Sequence, residues 1–244
     1  MLFIEFKMKM LRWVKRKLIG RISSPLKEDG VGCSALVNAP EFVENRMTGL
    51  KQRAYESYEQ YLEHQGSKLR EKHENILDYD KEYEEILKAR YAEFTPGWRG
   101  KTVLCLAARL GGEVRAFKSF GALAIGLDIE PGTLNPHVLY GDFHNIQFPG
   151  NVFDFAFSNA IDHVYELDRF LSEVRRVLKC EGIFVIELCT KAPGRYESLD
   201  VLRDKTRIIE KIREYFVVVE EFDLRNETEF VQWAGLGLIL QKRC

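Results

Sequence analysis

The chain contains no C-x-x-C pair. Its five cysteines (Cys33, Cys105, Cys180, Cys189 and Cys244) are scattered and odd in number, which argues against a disulfide framework or a zinc site and for a reducing, cytoplasmic setting. No metal is expected on this pattern. The chain also lacks a charge excess. Its 36 Lys and Arg stand against 37 Asp and Glu, a net charge of −1, so no overall field recruits nucleic acid. No stretch approaches the ~20 apolar residues that span a bilayer. What is present is 45% apolar content over 244 residues, enough for the full core of one domain with an appendage.

Residues 1–22 carry seven Lys/Arg against one Glu, with Phe3, Phe6, Met10, Val14 and Leu18 at helical spacing. Two readings stand: a basic amphipathic helix in peripheral contact with an anionic membrane or a protein, or a helix packed on its own domain. Charge interrupts the apolar run too often for a signal peptide. Residues 23–50 are rich in Ser, Gly, Pro and Asn and read as a linker or irregular loop. From Gln52 to Phe94 the pattern is helical, with breaks expected at Gly66 and Asp78-Tyr79-Asp80. Tyr55, Tyr58, Tyr61 and Leu62 form one edge there, either a packing face or a lid facing substrate. Residues 23–95 are thus a linker and helical cap.

From residue 96 to 244 the pattern is α/β. Strands are expected near 102–107, 122–127, 137–140, 152–158, 182–189, 216–223 and 230–241, with helices near 111–120, 166–178 and 199–214. Continuous apolar runs such as Thr102–Ala107 and Ile183–Leu188 suit strands buried on both faces, and helical crossovers imply a parallel sheet. Only six residues separate the last two strands, so these pair antiparallel. The expected architecture is a Rossmann-like, doubly wound, mainly parallel seven-stranded sheet with an antiparallel C-terminal hairpin, preceded by a helical extension.

Two segments point to a nucleoside. Val103–Glu113 reads as a buried strand, a tight turn of small residues and a helix start. Gly126–Pro131 follows, and Asp128 lies 21 positions after Ala107, near the ~20-residue spacing at which a βαβ unit sets a carboxylate on a ribose. The turn Ala107-Ala108-Arg109-Leu110-Gly111-Gly112 supplies no G-x-G-x-x-G, which weighs against a nicotinamide-dependent oxidoreductase.

With Gly141–Phe148, Phe153–His163 and Phe170–Glu187 added in order, residues 96–244 resemble the class I S-adenosylmethionine-dependent methyltransferases, and most closely the type 11 methyltransferase-like proteins. The resemblance implies S-adenosylmethionine as cofactor and a small-molecule acceptor, such as a sugar or other polar metabolite. It implies that Asp128 holds the ribose hydroxyls and Ile129 packs on adenine. Asp142 would accept from the adenine amino group and the Phe143 amide would donate to a ring nitrogen. Ala107 and Gly111 would let the backbone approach the methionine moiety, and Asn159 would face the transfer cleft. The family turn reads D-x-G-x-G-x-G, whereas Cys105, Ala107 and Arg109 stand here for the acid and the first two glycines. An arginine at φ > 0 is strained, so either the loop takes another course or the cofactor sits differently; alternatively Arg109 reaches the methionine carboxylate.

Methyl transfer from a sulfonium asks mainly for alignment, with a base only where the nucleophile must lose a proton. His163, with Asp162 beside it, is the candidate catalytic base; the plainer reading is a helix-start residue. His144 reads as structural or cofactor-adjacent, Asp154 as a cap on neighbouring backbone, and Glu187 as a structural ion pair or a cleft residue. The altered turn also admits a catalytically silent interaction module that binds cofactor weakly or not at all.

Overall fold

A computed structural model describes residues 39–94, 97–224 and 234–244. The basic segment expected over 1–22 lies outside them. Nine strands and five helices follow in order: β1 (Phe42–Glu44), β2 (Lys51–Arg53), α1 (Tyr58–Glu71), α2 (His73–Tyr91), β3 (Thr102–Leu106), α3 (Gly112–Ser119), β4 (Leu123–Asp128), β5 (Val138–Tyr140), β6 (Phe153–Ser158), α4 (Leu167–Val177), β7 (Leu178–Cys189), α5 (Val201–Tyr215), β8 (Phe216–Asp223) and β9 (Ala234–Lys242). A single 3₁₀ turn, Ile161–His163, follows β6.

Seven strands form one sheet in the order β5-β4-β3-β6-β7-β9-β8. The first five are parallel; β9 runs antiparallel to both β7 and β8. Alternate residues of the central strands feed two apolar layers, as helices on both faces of a parallel sheet require. Leu104, Leu106, Ala156, Phe184 and Ile186 pack under α4 and α5. Val103, Cys105, Phe155, Phe157 and Val185 pack under α2 and α3. In α4, Leu167, Phe170, Leu171, Val174 and Val177 recur at helical spacing and are all buried, each contributing roughly 1.5–3 kcal/mol of burial free energy.

Helix α2 belongs to this core. Tyr83, Leu87 and Tyr91 are almost wholly buried against the sheet. At its base the Glu187 carboxylate accepts from Tyr83 Oη (2.7 Å), Tyr91 Oη (2.8 Å) and Arg90, so Glu187 is a structural ion pair. Asp154 accepts from the Thr102 amide at 2.9 Å and from Lys179 at 2.9 Å, and so fastens the starts of neighbouring strands.

Three expectations are corrected. Gly66 and Asp78–Asp80 lie inside helices, and the break falls at Lys72 (φ −131°); packing of both helices outweighs the roughly 1 kcal/mol that a glycine costs. The segment read as a loop ends in strand β1 and the turn of a hairpin whose second strand, β2, runs into the stretch read as helical. The hairpin is turned by Asn45, whose side chain accepts from the amides of Met47 (2.9 Å) and Thr48 (3.2 Å), and by Gly49 at φ 66°. Cysteine usage pointed away from disulfides, yet Cys180 and Cys244 are bonded, with Cα atoms 5.3 Å apart across 64 residues. The antiparallel pairing of β9 on β7, with Ile183 opposite Gln241, brings them together. Cys105 and Cys189 are buried free thiols. Among the described residues no helix is long and apolar enough to cross a membrane.

Candidate active site

The turn between β3 and α3 takes the left-handed course that glycines would take. Ala107 has φ 57°, Arg109 φ 40° and Gly111 φ 90°. Of the alternatives drawn from Arg109, a different course for the loop is therefore the one removed. Backbone pairing imposes the path: Ala108 N donates to Leu127 O (3.3 Å), Arg109 N to Asp128 Oδ2 (2.9 Å) and Gly111 N to Ala108 O (2.7 Å). Each non-glycine residue held there costs about 1–2 kcal/mol. Close packing forbids slack beneath the turn, since a Cβ on Gly126 would come within 2.9 Å of Ala108 Cβ.

Asp128 ends β4 at the carboxyl edge of the sheet and is only 7% exposed. Burial raises its pKa, partly offset by the Glu130 and Arg109 amides that it accepts. Both oxygens retain a lone pair, so the carboxylate can still receive two hydroxyls.

Helix α1 lies across this cleft. Tyr58 Oη donates to Asp142 Oδ2. His144 Nε2 accepts the amides of Tyr165 and Glu166 (3.2 Å each), which leaves Nδ1 to carry the proton and donate to Asp142 Oδ1 at 3.1 Å. Burial pushes the Asp142 carboxyl up, but the hydrogen bonds from His144 and Tyr58 outweigh it and the pKa falls. Further along α1, Gln65 donates to Tyr196 O (2.7 Å), and Glu71 accepts from Tyr196 Oη (2.7 Å). What remains between α1 and the sheet is a cavity of about 50 Å³. Small-ligand pockets run to roughly 300–1,000 Å³. The carboxylate acceptors of the cleft suit the hydroxyl and amino donors of a nucleoside; its space is taken by α1.

Six of the candidate site residues line this cavity, Ala107, Arg109, Asp128, Ile129, Phe143 and His163, together with Tyr61 of the expected aromatic edge. Asp142 is tied up by Tyr58, and Asp162 lies behind His163. Gly111 packs below, where an added Cβ would come within 2.9 Å of His137 Cβ. Asn159 is buried and its Nδ2 lies 3.5 Å from Tyr79 Oη. The Arg109 guanidinium stands over the Tyr79 ring, 5.6 Å from its centroid.

At the inner end Lys68, Asp162 and His163 meet. His163 Nδ1 lies 3.0 Å from Tyr196 O, which fixes the proton there, and Nε2 faces Lys68 Nζ at 3.3 Å. Burial, reinforced by Arg109, pushes the Lys68 ammonium down to about 7. Burial and then Glu197 push the Asp162 carboxyl up to about 7. Burial and Lys68 hold His163 well below its ordinary value, so the imidazole is neutral.

The sequence reading did not single out Lys68, Gln65 or Glu197. Tyr58, Tyr61, Gln65 and Lys68 fall at i, i+3, i+7 and i+10 of one helix face, a signal the aromatic edge alone hid. Nothing local marks Glu197, in the irregular stretch before α5.

Residues 104–186 match a family described as a methyltransferase domain. Among solved structures, the fold is similar to Burkholderia thailandensis 1,6-didemethyltoxoflavin-N1-methyltransferase, solved with 1,6-didemethyltoxoflavin and S-adenosylhomocysteine. That similarity has a TM-score of 0.59 at 15% identity, covering 84% of this chain and 100% of that one. It is also similar to the PH0226 protein of Pyrococcus horikoshii, with a TM-score of 0.53 at 21% identity, covering 65% and 89%. Compared with curated protein sequences, the chain has no significant match.

Proposed function

We propose that this chain is a class I S-adenosylmethionine-dependent methyltransferase, as the match of residues 104–186 to a methyltransferase domain supports, and that it methylates a small polar acceptor once α1 has withdrawn from the cleft. The observation that carries this reading is Asp128, held at the end of β4 by two backbone amides and facing a cavity walled by the Ala107–Gly111 turn.

In this reading Asp128 accepts both ribose hydroxyls, and Ile129 and Phe143 enclose the adenine. Asp142 exchanges the Tyr58 hydroxyl for the adenine amino group, one donor for another. The left-handed turn at Ala107 presents backbone to the methionine moiety, and Arg109 swings from Tyr79 to its carboxylate. The bound cofactor supplies a methyl group on a sulfonium, whose sulfur keeps the bonding electron pair. The protein's task is alignment. Where the acceptor must lose a proton, His163 takes it at Nε2, the nitrogen that the Tyr196 carbonyl leaves free, and Asp162 steadies the resulting imidazolium. Asn159 walls the acceptor side.

The test is calorimetric titration with S-adenosylmethionine and S-adenosylhomocysteine, with NAD as control. We expect saturable binding to the wild type, weakened by roughly 100-fold in Asp128→Ala through the loss of two hydrogen bonds to a charged group. The filled cleft favours one alternative, a silent interaction module. Absence of binding in both wild type and Tyr58→Phe would overturn the cofactor reading and leave that alternative.

A further inference from the structure

We propose that Asp162, His163 and Glu197 form a divalent transition-metal site at the inner end of the cleft, with the Lys68 ammonium standing in for the cation while α1 is closed. Their donor atoms all lie within 4.8 Å of one another, and His163 Nε2 is 3.9 Å from Asp162 Oδ1.

Each donor is prepared for a cation. His163 gives its Nδ1 proton to the Tyr196 carbonyl at 3.0 Å, the outer contact that fixes tautomer and ring orientation in metal-binding histidines. Its Nε2 lone pair is thereby aimed at the cluster. Asp162 is 5% exposed, yet its Oδ1 accepts no hydrogen bond; nor does the buried Glu197 Oε2. Buried carboxylate oxygens are nearly always satisfied, and here two of them converge beside an imidazole lone pair. The two segments are pinned together from behind, because the Asp162 carbonyl accepts from Ser198 N (2.6 Å) and Leu199 N (2.9 Å). Bonds of roughly 2.0–2.2 Å to a metal require the donors to close by about an ångström. With the backbone of both segments pinned, rotation of the Glu197 side chain, whose Oε2 has no hydrogen-bond partner, supplies that movement.

One imidazole with two carboxylates suits Zn²⁺, Mn²⁺ or Fe²⁺ better than the all-oxygen cages of Ca²⁺ and Mg²⁺. Lys68 is the competitor. Its Nζ lies 3.3 Å from Nε2 and makes no hydrogen bond to either open carboxylate oxygen. Lys68 rides on α1, so the movement that opens the cleft also frees the three donors. With a cation bound, Nε2 is a ligand and no longer a base. The two uses are alternatives at one atom, and the inference stands apart from methyl transfer.

The test is Zn²⁺ titration by calorimetry on the full chain, under non-reducing conditions so that Cys180 and Cys244 offer no thiolate. We expect one equivalent bound, at least tenfold more tightly by Lys68→Met and at least tenfold more weakly by Asp162→Asn and by Glu197→Gln. Should Asp162→Asn fail to fold, Glu197→Gln, altered at a partly buried residue, carries the comparison. No saturable binding in both wild type and Lys68→Met overturns the proposal, as does binding that Glu197→Gln leaves unchanged. Zn²⁺ binding without S-adenosylmethionine binding keeps this site and removes the cofactor reading; the reverse result does the opposite.

Discussion

The Tyr58 hydroxyl donates to Oδ2 of Asp142, the same carboxylate whose Oδ1 is held by His144. A helix residue thus occupies the acceptor that the proposed reading assigns to an adenine amino group. Burial and the Asp142 charge raise the Tyr58 pKa, so the phenol stays a donor across the working pH range. Closure of α1 and entry of a nucleoside therefore compete for one atom.

Tyr58→Phe removes that contact and leaves the ring packing of α1 in place. A hydrogen bond to a charged group contributes about 1.5–3 kcal/mol, so cofactor binding in the variant should tighten by roughly tenfold or more. Unchanged affinity in calorimetry would show that Tyr58 does not hold the cleft shut.

The left-handed turn makes opposite predictions for two small residues. Ala107→Gly relieves a residue at φ 57° and should stabilise the fold by up to about 1 kcal/mol, after the entropy that glycine adds to the unfolded chain. Gly111→Ala places a methyl group at φ 90° and 2.9 Å from His137 Cβ. It should destabilise by about 1–3 kcal/mol. Urea denaturation of the two variants reads both signs.

Removing Glu187 takes a buried carboxylate away from Arg90. The pair is almost wholly buried, at 3% and 0% side-chain exposure, and two tyrosine hydroxyls depend on the same carboxylate. Glu187→Ala should cost about 3–5 kcal/mol, which thermal melts would report as a fall of roughly 10 °C. A loss under ~1 kcal/mol would mean that Arg90 finds water or another partner.

Glu113 gives the pH dependence a sign. Burial in the first turn of α3, reinforced by Asp80 and only partly offset by its own amide, pushes its carboxyl up to about 8. A free glutamate titrates near 4.3. Between those values the folded chain holds more protons than the unfolded one, so this group's contribution to stability falls as pH rises. Glu113→Gln should therefore lose less stability than the wild type between pH 5 and pH 8, as measured by denaturation at both.

The sheet was legible because its signals are local. Thr102–Leu106 and Phe153–Ser158 are apolar enough to be buried on both faces, and Asp128 closes β4 at the spacing a ribose acid requires. The capping role of Asp154 was readable from its place at a strand start. What escaped is set by distant packing. β1 and β2 have three residues each and depend on the Asn45 turn and on Arg53, which donates to the carbonyls of Pro40, Gly194 and Glu197. Cys180 and Cys244 meet only because β9 pairs with β7. Glu197 joins His163 through a loop-to-loop contact that no spacing encodes. Gly66 and Asp78–Asp80 misled because breaker statistics ignore the tertiary faces that hold α1 and α2 in place.

The division at Lys72 has a practical meaning. On its C-terminal side α2 caps the α3 amino end, with Asp80 Oδ1 accepting from Gly112 N at 2.8 Å, and fills the sheet's apolar layer. On its N-terminal side α1 rests on the cleft. Lys72 itself is exposed and offers trypsin a cleavable bond. Cutting there would turn the closing of α1 from a unimolecular step into an association between two fragments. The dissociation constant, readable by fluorescence, would then report α1 together with the β1–β2 hairpin that Arg53 anchors on the same fragment.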